Sequence, residues 1–403
     1  MNEIETPLFK NKTYVLLLIA GIFAVVGFSM FLTTTTWYVI TELGSAGSLG
    51  LVLVAATVPR LIMMTFGGVV ADRYKKTTIM FGTNLAQSLL LLILFLLVDT
   101  DNMNLWILLI LAGLFGALDA FFGPASTSMI PKIVKRHQLQ KANAYFQGVD
   151  QVAFIAGPVL AGIIMESFEI STSYFIATIL VFLSAFVIFP PFIKEAPAED
   201  LGKTTPLQNF KEGFSYIRKS NFLLVGIIVL ITLNFFSFGT LHVAIPLIVD
   251  NFNGTPINLS IMESALGIGT LSSTILLSFV KIKRKGLVST LGLFATLIVT
   301  LIFSQVSSLL LLTIVVFFIG FSMSFVFIPF FTAAQERTDS RIMGRVMSII
   351  FLAMNGFDPI AYGLVSGLAS IGVNIQTIIM TFSLIGIVIA ITVYLKAKHY
   401  VRN

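Results

Sequence analysis

The sequence predicts an all-α polytopic membrane protein, with about twelve transmembrane helices in two six-helix pseudo-repeats. Three observations predict it. Hydrophobic residues make up 57% of the 403-residue chain and charged residues 11%, against roughly 25% charge in soluble domains, which leaves too little polar surface to face water. The apolar residues gather into runs of roughly 20, the length that crosses a bilayer core as a helix. The cations sit in alternate gaps between those runs: of 25 Lys and Arg, only Arg60 falls inside one.

Taken in order, the first run spans 14–37. It follows thirteen mostly polar residues and is too long for the apolar core of a cleavable signal, so it is expected to be retained. Runs at 49–71, 77–98, 105–129, 144–165 and 174–193 complete a first group, and 222–249, 259–280, 287–303, 309–331, 346–369 and 375–395 form a second. The gaps at 44–48, 99–104, 166–173 and 250–258 are short and slightly acidic, whereas their alternates carry clusters such as Arg73, Lys75 and Lys76, or Lys281, Lys283, Arg284 and Lys285. Adding or removing one helix would move a basic cluster to the other side, so the positive-inside rule predicts both termini in the cytoplasm and a multi-pass protein of the plasma membrane. The net charge of +6 then reports orientation and contact with anionic membrane lipid, and no nucleic-acid partner is expected.

The longest interruption, 194–221, separates an amino-terminal bundle (1–193) from a carboxy-terminal bundle (222–403) and is expected to be a cytoplasmic linker. Within it Phe210, Phe214 and Ile217 recur at helical spacing with Lys211, Glu212 and Arg218 between them, which predicts an amphipathic helix on the membrane surface. The two bundles read as copies. Phe28-Ser-Met-Phe31 in the first span is echoed by Phe236-Ser-Phe238 in the seventh, Phe122-Gly-Pro124 by Phe327-Ile-Pro329, and Gly157-Pro158 by Asp358-Pro359, in the same order.

Between the second and third runs, Gly68, Asp72 and Arg73 make a Gly-x-x-x-Asp-Arg turn. It resembles the signature that the major facilitator superfamily carries between its second and third helices, with Lys75 where the family usually has Gly. That resemblance implies a binding site near the midplane between the halves, alternating access by rocking of the two, and a latch formed by Asp72 and Arg73. The second copy of the turn, Lys281-Ile-Lys-Arg-Lys-Gly286, keeps the cations and loses the Asp, so gating is expected to be unequal between halves. In the fifth span, Ala153-Phe-Ile-Ala-Gly157-Pro158-Val-Leu-Ala161-Gly162 is similar to the antiporter motif of superfamily exporters, with Ala at two of its Gly positions. Gly157 and Pro158 are thereby assigned to gating, and export is favoured over uptake. Pro59-Arg60-Leu61, Leu118-Asp119-Ala-Phe-Phe-Gly-Pro124 and Asn253-Gly-Thr-Pro256 resemble the branch of macrolide-efflux and enterobactin-exporter proteins.

Charge inside a span narrows the candidates, because an ionised side chain at the bilayer centre costs roughly 2.5–3.5 kcal/mol even on lenient scales. Arg60, Asp119 and Asp358 are the deep ones. Arg60 and Asp119 lie at matching depth and are expected to pair, either as a structural anchor or as a proton-coupling pair that breaks during the cycle, Asp119 being a candidate proton carrier. Asp358, ahead of Pro359 at mid-helix, has no cation at its depth and is a candidate proton carrier, or else a cap for backbone freed by the proline. Substrate contacts are expected from Ser29, Thr33 and Thr36 in the first span, Phe122 in the fourth, and Asn234, Ser237 and His242 in the seventh, although such groups often serve only helix packing. The 38 Phe suit the walls of a cavity for an amphipathic compound.

Zero Cys excludes thiolate metal sites, and His137, His242 and His399 are too scattered to form a cluster. No phosphate-binding loop and no nucleophile or zinc motif is present, so neither ATP-driven work nor enzymatic chemistry is expected. The expectation is a monomeric secondary active exporter of a small drug-like compound, without cofactor and driven by the proton gradient. A siderophore or metallophore exporter, a lipid flippase or an uncoupled facilitator are the alternatives.

Overall fold

The computed structural model describes residues 8–193, 206–339 and 342–402. Among these, 12 helical spans are long and apolar enough to cross a membrane, and no strand occurs. The first six spans are α1 (Lys12–Thr41), α2 (Ala46–Arg73), α3 (Lys76–Asp99), α4 (Leu105–Ile133), α5 (Leu139–Ser167) and α6 (Ile170–Val187). A shorter helix, α7 (Pro206–Lys219), precedes the rest. The seventh span is built from α8 (Asn221–Leu233) and α9 (Thr240–Asn251), and the next three are α10 (Pro256–Ser278), α11 (Lys285–Phe303) and α12 (Leu309–Arg337). The eleventh is α13 (Met343–Asn355) plus α14 (Asp358–Ser370), the twelfth α15 (Ile375–Lys396), and a short α16 (Lys398–Arg402) follows. The chain divides into two compact units, Met1–Tyr38 with Ala55–Gly202 and Val39–Val54 with Lys203–Asn403.

In a membrane the hydrophobic effect does not press helices together, so small residues and internal polar pairs must do so. The first unit shows both devices. Thr34 and Ser173 share a hydrogen bond at 2.6 Å, and Thr35 and Tyr174 one at 2.9 Å, joining α1 to α6. Asn84 of α3 donates to Ser184 Oγ at 2.7 Å, and Ser184 donates onward to the Ala20 carbonyl at 2.7 Å. Where α4 crosses α2, a Cβ placed on Gly116 would fall 1.9 Å from the Ala56 carbonyl oxygen, so only glycine permits this approach. At the basic end, Tyr14, Leu17, Met80, Met129 and Phe146 form a buried cluster, within which Tyr14 donates its hydroxyl to the Ala142 carbonyl at 2.7 Å. Tyr14→Phe removes this bond from the buried cluster while the carbonyl keeps its place in the helix ladder; a loss of about 1 kcal/mol is expected, read as a lower thermal midpoint in detergent.

The second unit repeats the crossing. A Cβ on Gly320 of α12 would lie 2.0 Å from the Leu266 carbonyl of α10, and one on Gly269 of α10 would lie 2.0 Å from the Phe317 carbonyl of α12. The tenth span thus meets the eighth through a glycine, as the fourth meets the second.

The helix expected from the spacing of Phe210, Phe214 and Ile217 is α7. Its Gly213 side seats on α13, close to Ile349 and the Arg345 carbonyl, and Ile217 is buried. Glu212 pairs with Arg345, and the Tyr216 hydroxyl donates to the Arg337 carbonyl at 2.8 Å. Phe210 and Phe214 stack at 6.2 Å and remain exposed.

Two spans depart from the expectation of continuous helices. Asn234–Gly239 forms a π-helical turn between α8 and α9, in which Thr240 Oγ1 donates to the Phe235 carbonyl at 3.0 Å. The eleventh span breaks at Gly356 and Phe357. Pro359 has no N–H and its ring excludes the carbonyl four residues back, so the helix restarts instead of running through. Asp358 is the first residue of α14 and lies near the middle of the 343–370 span, as expected, after two residues that keep right-handed helical dihedrals. Pro158, at the matching place in the first unit, lies inside an unbroken α5.

Candidate transport site

In the first unit the deep charges meet as expected. Arg60 Nε lies 2.9 Å from Asp119 Oδ2, with the Asp119 side chain 17% exposed and that of Arg60 46%. The guanidinium also sits 5.1 Å above the ring centroid of Phe28, so one cation ties α2 to both α4 and α1. Gln87 of α3, a residue that sequence reading did not single out, donates to the Phe115 carbonyl of α4 at 3.4 Å, four residues before Asp119. The carboxylate is thus met by a cation. A groove of about 390 Å³ between α1 and α5 is walled by Ile22, Val26, Tyr145, Val149 and Val152. None of the expected substrate-contact residues lines it.

The second unit holds a carboxyl of a different kind. Asp358 is 4% exposed, and its Oδ1 is buried without a hydrogen-bond partner among the described residues. It faces Gly239, the last residue of the π-helical turn; a Cβ there would come within 3.6 Å of Oδ1 and 3.0 Å of Ala361 Cβ. One turn along, His242 stands edge-on to Phe238 at 4.6 Å and to Tyr362 at 6.0 Å between ring centroids. Tyr362 is four residues after Asp358 and so shares its face of α14. Asp358 thus lies against the π-helical turn that carries Phe238, on the same helix as Tyr362. Tyr362 and Phe238 were missed from sequence; the four-residue spacing from Asp358 was the available signal for Tyr362.

The pseudo-repeat has an inverted detail here. In the first unit Gly157 of α5 is pressed on Ser29 of α1, where a Cβ would fall 1.9 Å from Ser29 Oγ. In the second unit the small residue is on the seventh span, Gly239, and the polar one on the eleventh, Asp358. Small and polar partners have exchanged helices, and only the second arrangement leaves an acceptor unmet.

The remaining expected contacts are placed as follows. Ser29 is buried and donates to the Val25 carbonyl at 2.8 Å. Thr33 and Thr36 are buried in α1, and Phe122 is buried in the cluster around Tyr14. Asn234 donates to the Leu230 carbonyl at 3.0 Å, and Ser237 shares a hydrogen bond with Thr300 at 2.9 Å. The structure thus engages Ser29, Asn234 and Ser237 in bonds within their own unit, and sets His242 between the rings of Phe238 and Tyr362. Gly157 and Pro158 are buried in α5. The side chains of Gly68, Asp72 and Arg73 lie outside the described residues.

The sequence model of the Major Facilitator Superfamily matches residues 17–357. Macrolide efflux protein A of Streptococcus pyogenes is 26% identical over 84% of this chain and 85% of its own. The staphyloferrin A transporter of Staphylococcus aureus is 24% identical over 87% of each. Among solved structures, the nucleoside transporter NupG superposes with a TM-score of 0.69 over 94% of this chain and 98% of its own at 15% identity, a likeness of fold alone.

Proposed function

The chain belongs to the Major Facilitator Superfamily, and we propose that it is a secondary active exporter that moves a small amphipathic, drug-like compound out of the cytoplasm in exchange for protons. It is a multi-pass membrane transporter with efflux-type relatives. The finer reading places it in the plasma membrane with both termini cytoplasmic, working as a monomer without cofactor. Asp72 and Arg73 latch the cytoplasmic side and the Gly157-Pro158 segment shapes the fifth helix for exchange.

The observation that carries the proton reading is Asp358. Asp119 already has a guanidinium at 2.9 Å, whereas Asp358 Oδ1 has no partner and no Lys or Arg occurs between 222 and 280 or between 346 and 395. A carboxyl so placed is the group that gains most from a proton when sealed away and gives it up when opened to water. Asp119 serves better as a structural anchor.

Purified protein in sealed vesicles with an imposed pH gradient tests this, with a panel of amphipathic drugs and iron chelators as cargo. Gradient-driven flux in wild type and Asp119→Asn, lost in Asp358→Asn while exchange at equal pH survives, is the expected result. Flux of an iron chelator in place of every drug would select the metallophore reading, which the staphyloferrin A transporter supports. Flux that ignores the gradient in all three proteins defeats proton antiport and leaves a facilitator or lipid flippase.

A further inference from the structure

We propose that the basic surface where the 281–285 turn meets α16 holds an anionic phospholipid of the surrounding bilayer, with its phosphate on Lys283, Arg284, Lys398 and Arg402 and its tails on the apolar rim beside them. The site lies within the second unit and is independent of what the transporter carries.

Charge without counter-charge marks this end of the molecule. The second copy of the turn keeps its cations and has lost the Asp of the first, so another anion must balance them. From 270 to 403 the acids are Glu336, Asp339 and Asp358. Glu336 is already engaged, its Oε2 2.5 Å from Lys285 Nζ, and Asp358 is buried in the eleventh span. The elements packed on α11 are α8, α12, α15, α16 and the π-helical turn, and of these α12 alone carries an acid, the same Glu336. Among the described residues no carboxylate pairs with Lys281, Lys283, Arg284, Lys396, Lys398 or Arg402.

The fold gathers these cations from two distant stretches. Gly286, in the first turn of α11, is pressed on α16, where a Cβ would fall 1.9 Å from the Tyr400 carbonyl oxygen. The Tyr400 hydroxyl donates to Ser289 Oγ at 3.1 Å, and further along Phe294 stands edge-on to Tyr394 at 6.4 Å between centroids. Lys283 and Arg284 therefore come just before the contact, and Lys398 and Arg402 bracket it two residues to either side. All four are exposed. Like charges so placed repel across the contact, and a shared anion relieves the repulsion.

The surroundings select the anion. Phe279 and Val280, immediately before the turn, are 84% and 52% exposed, and Leu395, just before α16, is 60% exposed. A soluble phosphate or an acidic protein segment would match the cations and leave this rim uncovered. A bilayer lipid meets both demands, because its tails run along the apolar ends of the spans while its phosphate stands level with the cations that follow them.

The test is fluorescence quenching in vesicles by brominated phosphatidylglycerol or brominated phosphatidylcholine at equal mole fraction. The chain has two Trp, Trp37 and Trp106, so Trp37→Phe/Trp106→Phe/Phe279→Trp puts a single reporter on the rim. It is expected to favour phosphatidylglycerol by at least about threefold, a preference that falls toward parity in about 1 M salt. Trp106 follows the acidic gap at 99–104 and is 75% exposed; Trp37→Phe, which leaves it as sole reporter, should show no preference. Added to the rim reporter, Lys283→Gln/Arg284→Gln/Lys398→Gln/Arg402→Gln should abolish the preference. Lys10→Gln/Lys12→Gln/Lys132→Gln/Lys211→Gln, which removes four other exposed cations, should keep it. Glycerol phosphate, a headgroup without tails, should not compete. Parity of the two lipids at the rim, an equal preference at Trp106, the same loss with either set of four, or displacement by glycerol phosphate would each overturn the proposal. The salt dependence and the Trp106 comparison need no cation variant and decide the matter should the first set fail to fold.

Discussion

Gly320→Leu is expected to leave almost no folded protein. The obstructing atom is the Leu266 carbonyl oxygen, 2.0 Å from where the new Cβ would stand, and helix backbone cannot swing aside as a side-chain tip can. Overpacking ordinarily costs about 1–3 kcal/mol; with backbone as the obstacle and a reciprocal contact at Gly269 tied to the same crossing, the loss should exceed about 3 kcal/mol. Separation of α10 from α12 also removes the bond from Ser324 Oγ to the Thr270 carbonyl at 3.0 Å. Gly116→Leu, at the equivalent crossing of α2 and α4, should behave alike. Gly82→Ala is the control: nothing lies within 4 Å of its would-be Cβ, and alanine is the better helix former by roughly 0.8–1.0 kcal/mol. Size-exclusion profiles and thermal midpoints in one detergent decide it. A monodisperse Gly320→Leu protein with an unchanged midpoint would show that the helices do not approach as closely as described.

Those glycines also show what a sequence of this kind discloses. Span number, the alternation of basic gaps and the order of the repeated Phe and Pro motifs are readable because they depend on hydropathy and charge, which act over whole helices. The Arg60–Asp119 pair was readable for a related reason: two opposite charges at one depth in apolar surroundings have few other partners. The break before Asp358 was not. Pro158 and Pro359 look alike in sequence, yet α5 runs on unbroken and the eleventh span is interrupted by a two-residue turn, because tolerance of a proline inside a membrane helix is decided by neighbouring helices. Nor does periodicity separate a serine that closes on its own helix, such as Ser29, from one that meets a ligand. Apolar runs carry little amphipathic signal, and so the faces of α1 and the seventh span had to be taken from the fold.

The Arg60–Asp119 pair carries the second large effect, and its sign separates an anchor from a proton carrier. Arg60→Ala removes the cation that joins α2 to α4 and lies over Phe28, and it leaves the largely buried carboxylate without its charge partner. Arg60 is nearly half exposed, so the loss should fall between that of surface pairs and that of fully buried ones, about 1–3 kcal/mol. Asp119→Asn leaves a half-exposed guanidinium that can still stack on Phe28, and should cost less. If the pair is an anchor, adding Asp119→Asn to Arg60→Ala recovers part of the stability, since the stranded charge is gone; thermal midpoints of the four proteins of the cycle measure that coupling. Arg60→Lys should recover only part of it, because a lysine keeps the charge but not the planar group that both faces Asp119 and covers the ring. Additive losses would mean that the two side chains do not act on each other in the membrane. Asp119 would then lack the clamp that now argues against its carrying the proton, and the choice of Asp358 as carrier would rest on its own unmet oxygen alone.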